Sequence, residues 1–548
     1  MRRKLLFTVL LLLVLLVSSG VPAFGQDADQ PLVVFVLNPD LEVSSVFNSG
    51  PEGISALDAI FQSLGAETQV VNLVSPIPAG ADVIVLVGPQ RRMDILSVAR
   101  IWVHLARGKH LLLALDPLGY GGNDSEDFRS GLLNLIANVY GLLTHDSFVM
   151  ETGFTRSSIG LLSGAFLYTR PDVVRHPIVA PLIDYDLPVT VWAARSLQVE
   201  PVGIDSIGIP LLQTSTAYGE VNRDVFALED PALLEVNIES DLQGVLNIAG
   251  LGQNTFGGSR IVVIGDSQLL QNGYGLSTVP GSTQPRHPGN ALFAQRLAAW
   301  LIGLPESDWP ELPADQTWIA LDGSSSDWPA DLPVGVEERN QSVNASFDIQ
   351  RLIAFQNDAY LYGMIGTIGT PQATTLVEVT LSNGLVLRFT PEQVVSVTPL
   401  GNQPVPDARL AVASVLEMRL PLRLLGADVT IDSLCLFDNT DPAAPEQQDC
   451  TTSPIEITAV DEREPFDLRF YSGALATVTS IRDIRLSSQP GSASADGAPV
   501  SVGQVLSVAG RNAAADWLLV RTAGFEGWLP ASLVIINTDI SALPVIQS

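Results

Sequence analysis

Basic residues are scarce in this chain. Of its 548 residues, 29 are lysine or arginine against 59 aspartate or glutamate, a formal net charge of −30. Lysine occurs twice, at Lys4 and Lys109. This balance excludes nucleic acid as a partner, because phosphate binding needs concentrated cationic side chains. The five histidines, His104, His110, His145, His176 and His287, are scattered and form no His-Glu-x-x-His motif, so the common zinc constellations are missing. There is no Gly-x-Gly-x-x-Gly and no Walker loop, which leaves nucleotide binding without support, and no cofactor is expected. No cysteine precedes Cys435, which removes a thiolate nucleophile from most of the chain. Charged residues make up only 16% against 46% hydrophobic, a composition that folds and buries cores.

The two cysteines, Cys435 and Cys450, bracket the polar stretch CLFDNTDPAAPEQQDC. In an oxidising compartment they read as a disulfide closing one loop, worth on the order of 3 kcal/mol by loop entropy. The amino-terminal segment points to the same compartment. Arg2, Arg3 and Lys4 precede an apolar run from Leu5 to Val17 and a small-x-small site at Ala23-Phe24-Gly25, the layout of a cleaved secretory signal over residues 1–25. At 13 residues the run falls short of the ~20 that a membrane span requires. The expected mature protein begins near Gln26, carries no membrane span and is secreted or associated with the cell envelope; retention of the segment as an anchor is the alternative.

From residue 31 to 303 the texture alternates. PLVVFVLN, TQVVNLV, ADVIVLVG, HLLLALDP and RIVVIGDS are short, nearly continuous apolar runs, the pattern of strands covered on both faces. Between them Ile54, Leu57, Ile60, Phe61 and Leu64 recur at helical spacing, as do Ile95, Val98, Trp102 and Leu105, and later Phe293, Leu297, Trp300 and Leu301. An α/β unit with a largely parallel sheet is predicted. LPESDWPELPADQ, residues 304–316, reads as a linker. Residues 317–460 switch to strict alternation with hairpin turns at Asn357-Asp358 and Asn383-Gly384, as in a β-sandwich. A second linker at 461–473 leads into short strands with glycine-bearing turns over 474–535, suited to a small barrel, and a tail follows at 536–548. The fold class is thus multidomain, α/β followed by all-β.

SRIVVIGDSQLLQNG, residues 259–273, carries the sharpest chemical question. A Gly-Asp-Ser at the end of a buried strand suggests a serine nucleophile, but Gln268-Leu269 follow Ser267 where a nucleophile elbow has glycine two residues on. The triplet is also similar to a block of the SGNH hydrolases, as is GGND at 121–124, but here the blocks stand in reversed order and no Asp-x-x-His follows Ser267. Ser267 is therefore expected to have no catalytic role, and its replacement by alanine to be nearly neutral. Asp266 is expected to cap the following turn, with ligand binding at the carboxyl edge of the sheet as the alternative. A hydrolase using Ser267 or a carboxylate pair is the competing function.

Three resemblances add to this reading. With its ADVIVLVGP strand, GKHLLLALDP, IPLLQTSTAYGEV and RIVVIGDSQLLQN followed by GNALFAQRLAAWLIG, the first unit resembles extracytoplasmic auxiliary components of gliding-motility-type ABC transporters, whose fold is amidotransferase-like. That implies a non-catalytic platform and an envelope transport assembly as partner. WIALDGSSSDWP, NDAYLYGMI and LEMRLPLRLLG make the second unit similar to family 9 carbohydrate-binding modules and their relatives. Trp318 and Trp328, with Tyr360 and Tyr362, are the candidate sugar-stacking or core rings, and Asp322, Ser324, Ser326 and Asp327 are candidate oxygen ligands for Ca²⁺. ADWLLVRTAGFEGWLPASLV resembles a bacterial SH3-like domain, which implies cell-wall peptide binding near Trp517 and Trp528, unless these rings fill its barrel. Together these lead to an exported, non-enzymatic protein that engages a cell-wall peptide or polysaccharide through its β units. A structural subunit of an export or surface assembly is a further alternative.

Overall fold

The apolar runs of the first unit lie side by side in one ten-stranded sheet. The computed structural model describes residues 30–546 with interruptions, the longest at 37–43, 119–130, 152–164, 168–174, 222–238, 423–429 and 457–474. The expected secretory signal, the GGND block and the second linker lie outside the described residues. In chain order the strands of the first unit are β1 (Leu32–Val36), β2 (Glu67–Val71), β3 (Ala81–Val87), β4 (His110–Ala114), β5 (Leu142–Thr144), β6 (Phe148–Glu151), β7 (Ala165–Leu167), β8 (Val189–Val191), β9 (Leu197–Val199), β10 (Ser206–Glu220), β11 (Leu242–Asn254) and β12 (Arg260–Ile264). The main path of the sheet is β2-β1-β3-β4-β12-β11-β10-β6. From β2 to β12 neighbours run parallel, and from β12 onward antiparallel.

Residue parity explains why the central runs are apolar throughout. Successive side chains of a strand point to opposite faces. Val83, Val85, Leu112, Ala114, Val262 and Ile264 enter one hydrophobic cluster, whereas Ile84, Leu86, Leu111, Leu113, Ile261 and Val263 enter another on the opposite face. Helices Ser55–Ser63 and Pro288–Leu301 cover the first face; Ile95–Ala106 and Leu132–Val139 cover the second. The helix over residues 95–106 is present, but its phase differs from the sequence expectation. It buries Val98, Ile101, His104 and Leu105, while Ile95 is exposed and Trp102 half-buried. The reason is that apolar residues occur on both sides of this helix, so periodicity alone does not select the inward one.

Beyond residue 304 the regular structure of the described residues is β, apart from short 3-10 turns. A five-stranded sheet runs Val334–Val336, Ile349–Gln356, Tyr360–Thr367, Leu416–Pro421, Arg409–Val412 in spatial order, and a seven-stranded sheet centred on Thr375–Leu381 and Thr430–Asp438 faces it. Both hairpins expected from the turn signals are present, and Gly384 at φ +84° supplies the left-handed residue of the second. Leu352, Leu361, Ile365, Leu416 and Met418 of the first sheet meet Val377, Val379, Leu387 and Leu434 of the second in a shared core. The opposite side of the five-stranded sheet is apolar as well: Ile353, Tyr360, Tyr362 and Met364 join the cluster of the α/β unit through Trp309, Ile319 and Trp328. Arg419, fully buried on this side, sits 4.8 Å over the Tyr360 ring and donates to the carbonyls of Tyr185 and Asp186 at 3.0 and 2.8 Å. The segment between the units is held down too, since Trp309 packs under Arg296, which donates to Pro310 O at 2.7 Å.

A third sheet, ordered Phe525–Pro530, Trp517–Thr522, Val505–Arg511, Leu475–Val478, Val534–Ile536, encloses Leu486, Leu506, Val508, Leu518, Val520 and Leu529. The chain after it folds back: Leu543 enters this core, and the Ile546 N–H donates to Arg511 O at 2.8 Å.

Cys435 and Cys450 stand directly opposite each other on adjacent antiparallel strands and are joined as a disulfide. Mass spectrometry of native protein under non-reducing conditions should accordingly find no alkylatable thiol. Two free thiols would contradict the bridge.

Candidate functional site

Open α/β sheets take ligands at the carboxyl ends of their parallel strands, so that edge is where chemistry is sought. Two strands deliver polar side chains there, beside the end of a third. β4 runs on through Leu115 to Asp116, β12 runs on through Gly265 to Asp266 and Ser267, and β3 ends at Val87, with Gly88 next in the chain. The parallel register sets Ile264 beside Ala114, and the Leu115 N–H donates to Ile264 O at 2.8 Å. Asp116 and the Asp266-Ser267 pair are thereby brought side by side, although 150 positions separate them in sequence.

The geometry pairs Asp116 with Ser267. The Ser267 N–H donates to Asp116 Oδ1 and its hydroxyl to Oδ2, both at 2.7 Å. Asp266 accepts the Trp192 N–H at 2.8 Å on one oxygen and the Gln268 N–H at 2.9 Å on the other. One of its bonds is the turn cap expected from sequence, while the other ties in a distant loop. Arg195, fully buried, donates to His145 O, Asp116 O and the Asp146 carboxylate at 2.9, 3.3 and 3.1 Å. Its own backbone presses against β12: a Cβ on Gly265 would stand 2.0 Å from Arg195 O, so no other residue fits there. Gly88, at φ +58°, leaves room for the hydroxyls of Ser44 and Ser267, which a Cβ would approach to 2.9 and 3.1 Å. Gln271 donates to Ser44 Oγ at 3.0 Å, and Asn272 bonds Asn48, Gly50, Ser55 and Ala56.

Electrostatics follow from burial. Removal from water pushes the Asp116 carboxyl up, and pushes Asp266 well above the ordinary carboxylate range, with the charge of Asp116 acting in the same direction. These groups bond to one another and to neighbouring backbone in an internal network. The Ser267 proton goes to a carboxylate that is itself sealed from solvent, and the side chain is 1% exposed. Among the described residues no histidine bonds it; His145 faces Ser196 Oγ at 3.0 Å instead.

The aromatic candidates fall into two groups. Trp328 and Trp528 are buried, whereas Trp318 and Trp517 are half-buried. The Trp328 indole N–H donates at 2.6 Å to Glu417, a carboxylate that also accepts the Gly323 and Asp322 N–H groups at 2.6 and 3.0 Å. Asp322 Oδ1 accepts the Ser324 N–H and Asp327 Oδ2 the Ala320 N–H, both at 2.7 Å, so these oxygens build the turn that holds Trp328. Trp318 meets Tyr360 edge-on at 6.3 Å. Trp528 packs with Ala509 and Leu519, with Trp517 at the margin of the same small cluster.

Sequence reasoning missed Asp116, Arg195, Glu417 and Arg419. Asp116 had a signal, since it ends HLLLALD as Asp266 ends RIVVIGD. Glu417 and Arg419 stand inside the otherwise apolar LEMRLPL; a charge interrupting a buried strand points to a specific partner.

No protein-family model matches the chain and no curated protein matches it. Among solved structures the mmIFT52 N-terminal domain aligns at 13% identity with a TM-score of 0.32, covering 50% of this chain and 97% of that domain. A ThuA-like protein from Bacteroides uniformis aligns at 12% identity and TM-score 0.28 over 51% of this chain and 96% of its own. An alpha-L-fucosidase isoenzyme 2 from Paenibacillus thiaminolyticus gives 9% and 0.28 over 71% and 46%. Likenesses at this level assign neither family nor activity.

Ser267→Ala should behave differently from the near-neutral change expected on sequence alone. It takes the hydroxyl donor away from a buried Asp116 oxygen, and urea unfolding should report a loss of about 1–3 kcal/mol. A fluorophosphonate probe should fail to label the wild type; labelling abolished by Ser267→Ala would restore the hydrolase.

Burial raises the Glu417 carboxyl to about 7. A group that holds its proton more tightly when folded stabilises fully below its ordinary value and loses that contribution as pH rises through the folded value. Melting temperature should therefore decline from about pH 4.5 to about pH 7, with a shallower decline in Glu417→Gln. Equal slopes in the two proteins would contradict this assignment.

Proposed function

We propose that this is an exported, non-enzymatic binding protein of the cell envelope or extracellular space, in which a catalytically silent α/β platform carries a carbohydrate-binding-module-like sandwich and an SH3-like barrel. The observation that carries the reading is the mutual saturation of Asp116 and Ser267 at the carboxyl edge: the position where such a sheet would act on a ligand is filled by its own side chains. The disulfide between Cys435 and Cys450 suits an oxidising compartment, and no helix among the described residues is long and apolar enough to cross a membrane.

The ligand proposed for the β units is a cell-wall peptide or polysaccharide. Stacking on a sugar or peptide requires an accessible ring, which favours the half-buried Trp517 and Trp318 over Trp328 and Trp528. Protein beginning at Gln26 should be retained on insoluble peptidoglycan or on one member of a polysaccharide panel, and Trp517→Ala or Trp318→Ala should release it while leaving the melting temperature within a few degrees. Absence of retention on every polymer would refute the ligand class.

A further inference from the structure

The second face of the α/β sheet, away from the sandwich, presents an unusual surface. Of the twelve large apolar side chains that stand exposed among the described residues, five lie on the two packed helices there: Ile95, Leu96 and Val103 on Ile95–Ala106, and Leu135 and Val139 on Leu132–Val139. Ile207 extends the patch, for its neighbour Ser206 donates to the Val139 carbonyl at 2.9 Å. Along the first helix Leu96, Ala99, Val103 and Ala106 form one exposed stripe at spacings of three and four. This is the side that the helix turns outward, opposite Val98, Ile101 and Leu105. No described residue covers it.

The charge around this stripe is equally out of character with the chain. Residues 91–109 contain Arg91, Arg92, Arg100, Arg107 and Lys109 against one acid, Asp94, in a protein of net charge −30. Arg92 and Arg107 are exposed and Arg100 half-buried, its guanidinium bonded to the Leu73 carbonyl. Lys109 is paired with Asp82 at 2.5 Å. The helix over residues 132–139 has no charged residue at all. An outward aliphatic stripe, a half-buried tryptophan at Trp102 and flanking arginines are the features by which a helix lies in the interface of an anionic lipid surface.

We propose that the outer face of these two helices docks on anionic phospholipid, with the aliphatic side chains entering the headgroup boundary and the arginines contacting lipid phosphates. A second copy of the chain is the weaker occupant, because a symmetric contact would set arginine against arginine. The acidic remainder of the molecule is repelled by the same lipid surface, so the charge distribution orients the protein with its β units away from the bilayer.

Co-sedimentation of the chain from Gln26 onward, which lacks the apolar Leu5–Val17 run, tests this with vesicles of pure phosphatidylglycerol and pure phosphatidylcholine. Wild type is expected to bind the former, more weakly as salt rises, and the latter little. Leu96→Ser with Leu135→Ser should weaken phosphatidylglycerol binding by roughly tenfold or more, and Arg107→Glu should weaken it while reducing its salt dependence. These positions are exposed, so unchanged melting temperatures would show that the variants fold. No binding to either vesicle, equal binding to both, or a dimer in solution that the leucine pair converts to monomer without lipid binding would each overturn the proposal.

Discussion

A carboxylate withdrawn from water must find donors, and Ser267 supplies two of them to Asp116. Its two oxygens take the amide and the hydroxyl of Ser267, which holds β4 and β12 in line beyond the last ladder bond. Much of the α/β unit is arranged around that demand. Gly265 is bare so that Arg195 can approach, Arg195 reaches the carbonyl of Asp116, and Gly88 is bare so that Ser44 and Ser267 fit beneath it. Asp266 draws Trp192 onto the same edge. Each of these groups is costly to bury alone and acceptable in company.

The same logic joins the α/β unit to the sandwich. A sheet with one apolar face would complete a sandwich and stop; the five-stranded sheet has two, and its second face is continuous with the α/β core. Arg419 makes that contact specific. Its guanidinium lies on Tyr360 and is directed at two carbonyls of the Tyr185-Asp186 turn, where Asp186 adopts φ +47° and also pairs with Arg409 at 3.5 Å. The proline-rich segment between the units is drawn into the arrangement by the ring of Trp309. In such a tandem the sandwich is carried in a set orientation relative to the platform, which matters if one part meets a polymer and another a surface.

Acidity is spread over most of this molecule, and its distribution is more informative than its total. A uniformly negative surface keeps a protein apart from membranes and from itself. On the sheet face that the sandwich leaves open, a helix pair that is aliphatic and free of acids apart from a capping aspartate, its first helix bordered by arginine, departs from that uniformity.

Local chemistry was enough to locate the apolar strands, the two hairpins and the cysteine pair, because strand parity, turn residues and a lone pair of thiols act over short distances. From what surrounds Ser267 in sequence it also led to the expectation that this residue is no nucleophile. The partner of Ser267 was out of reach, since Asp116 becomes adjacent only when β12 inserts beside β4. So were the roles of Glu417 and Arg419, whose donors and acceptors come from the turn at Asp322-Gly323 and the loop at Tyr185-Asp186. The inward face of the helix over residues 95–106 was decided by tertiary structure for a different reason: both of its sides are apolar, and only the sheet beneath it determines which one is buried.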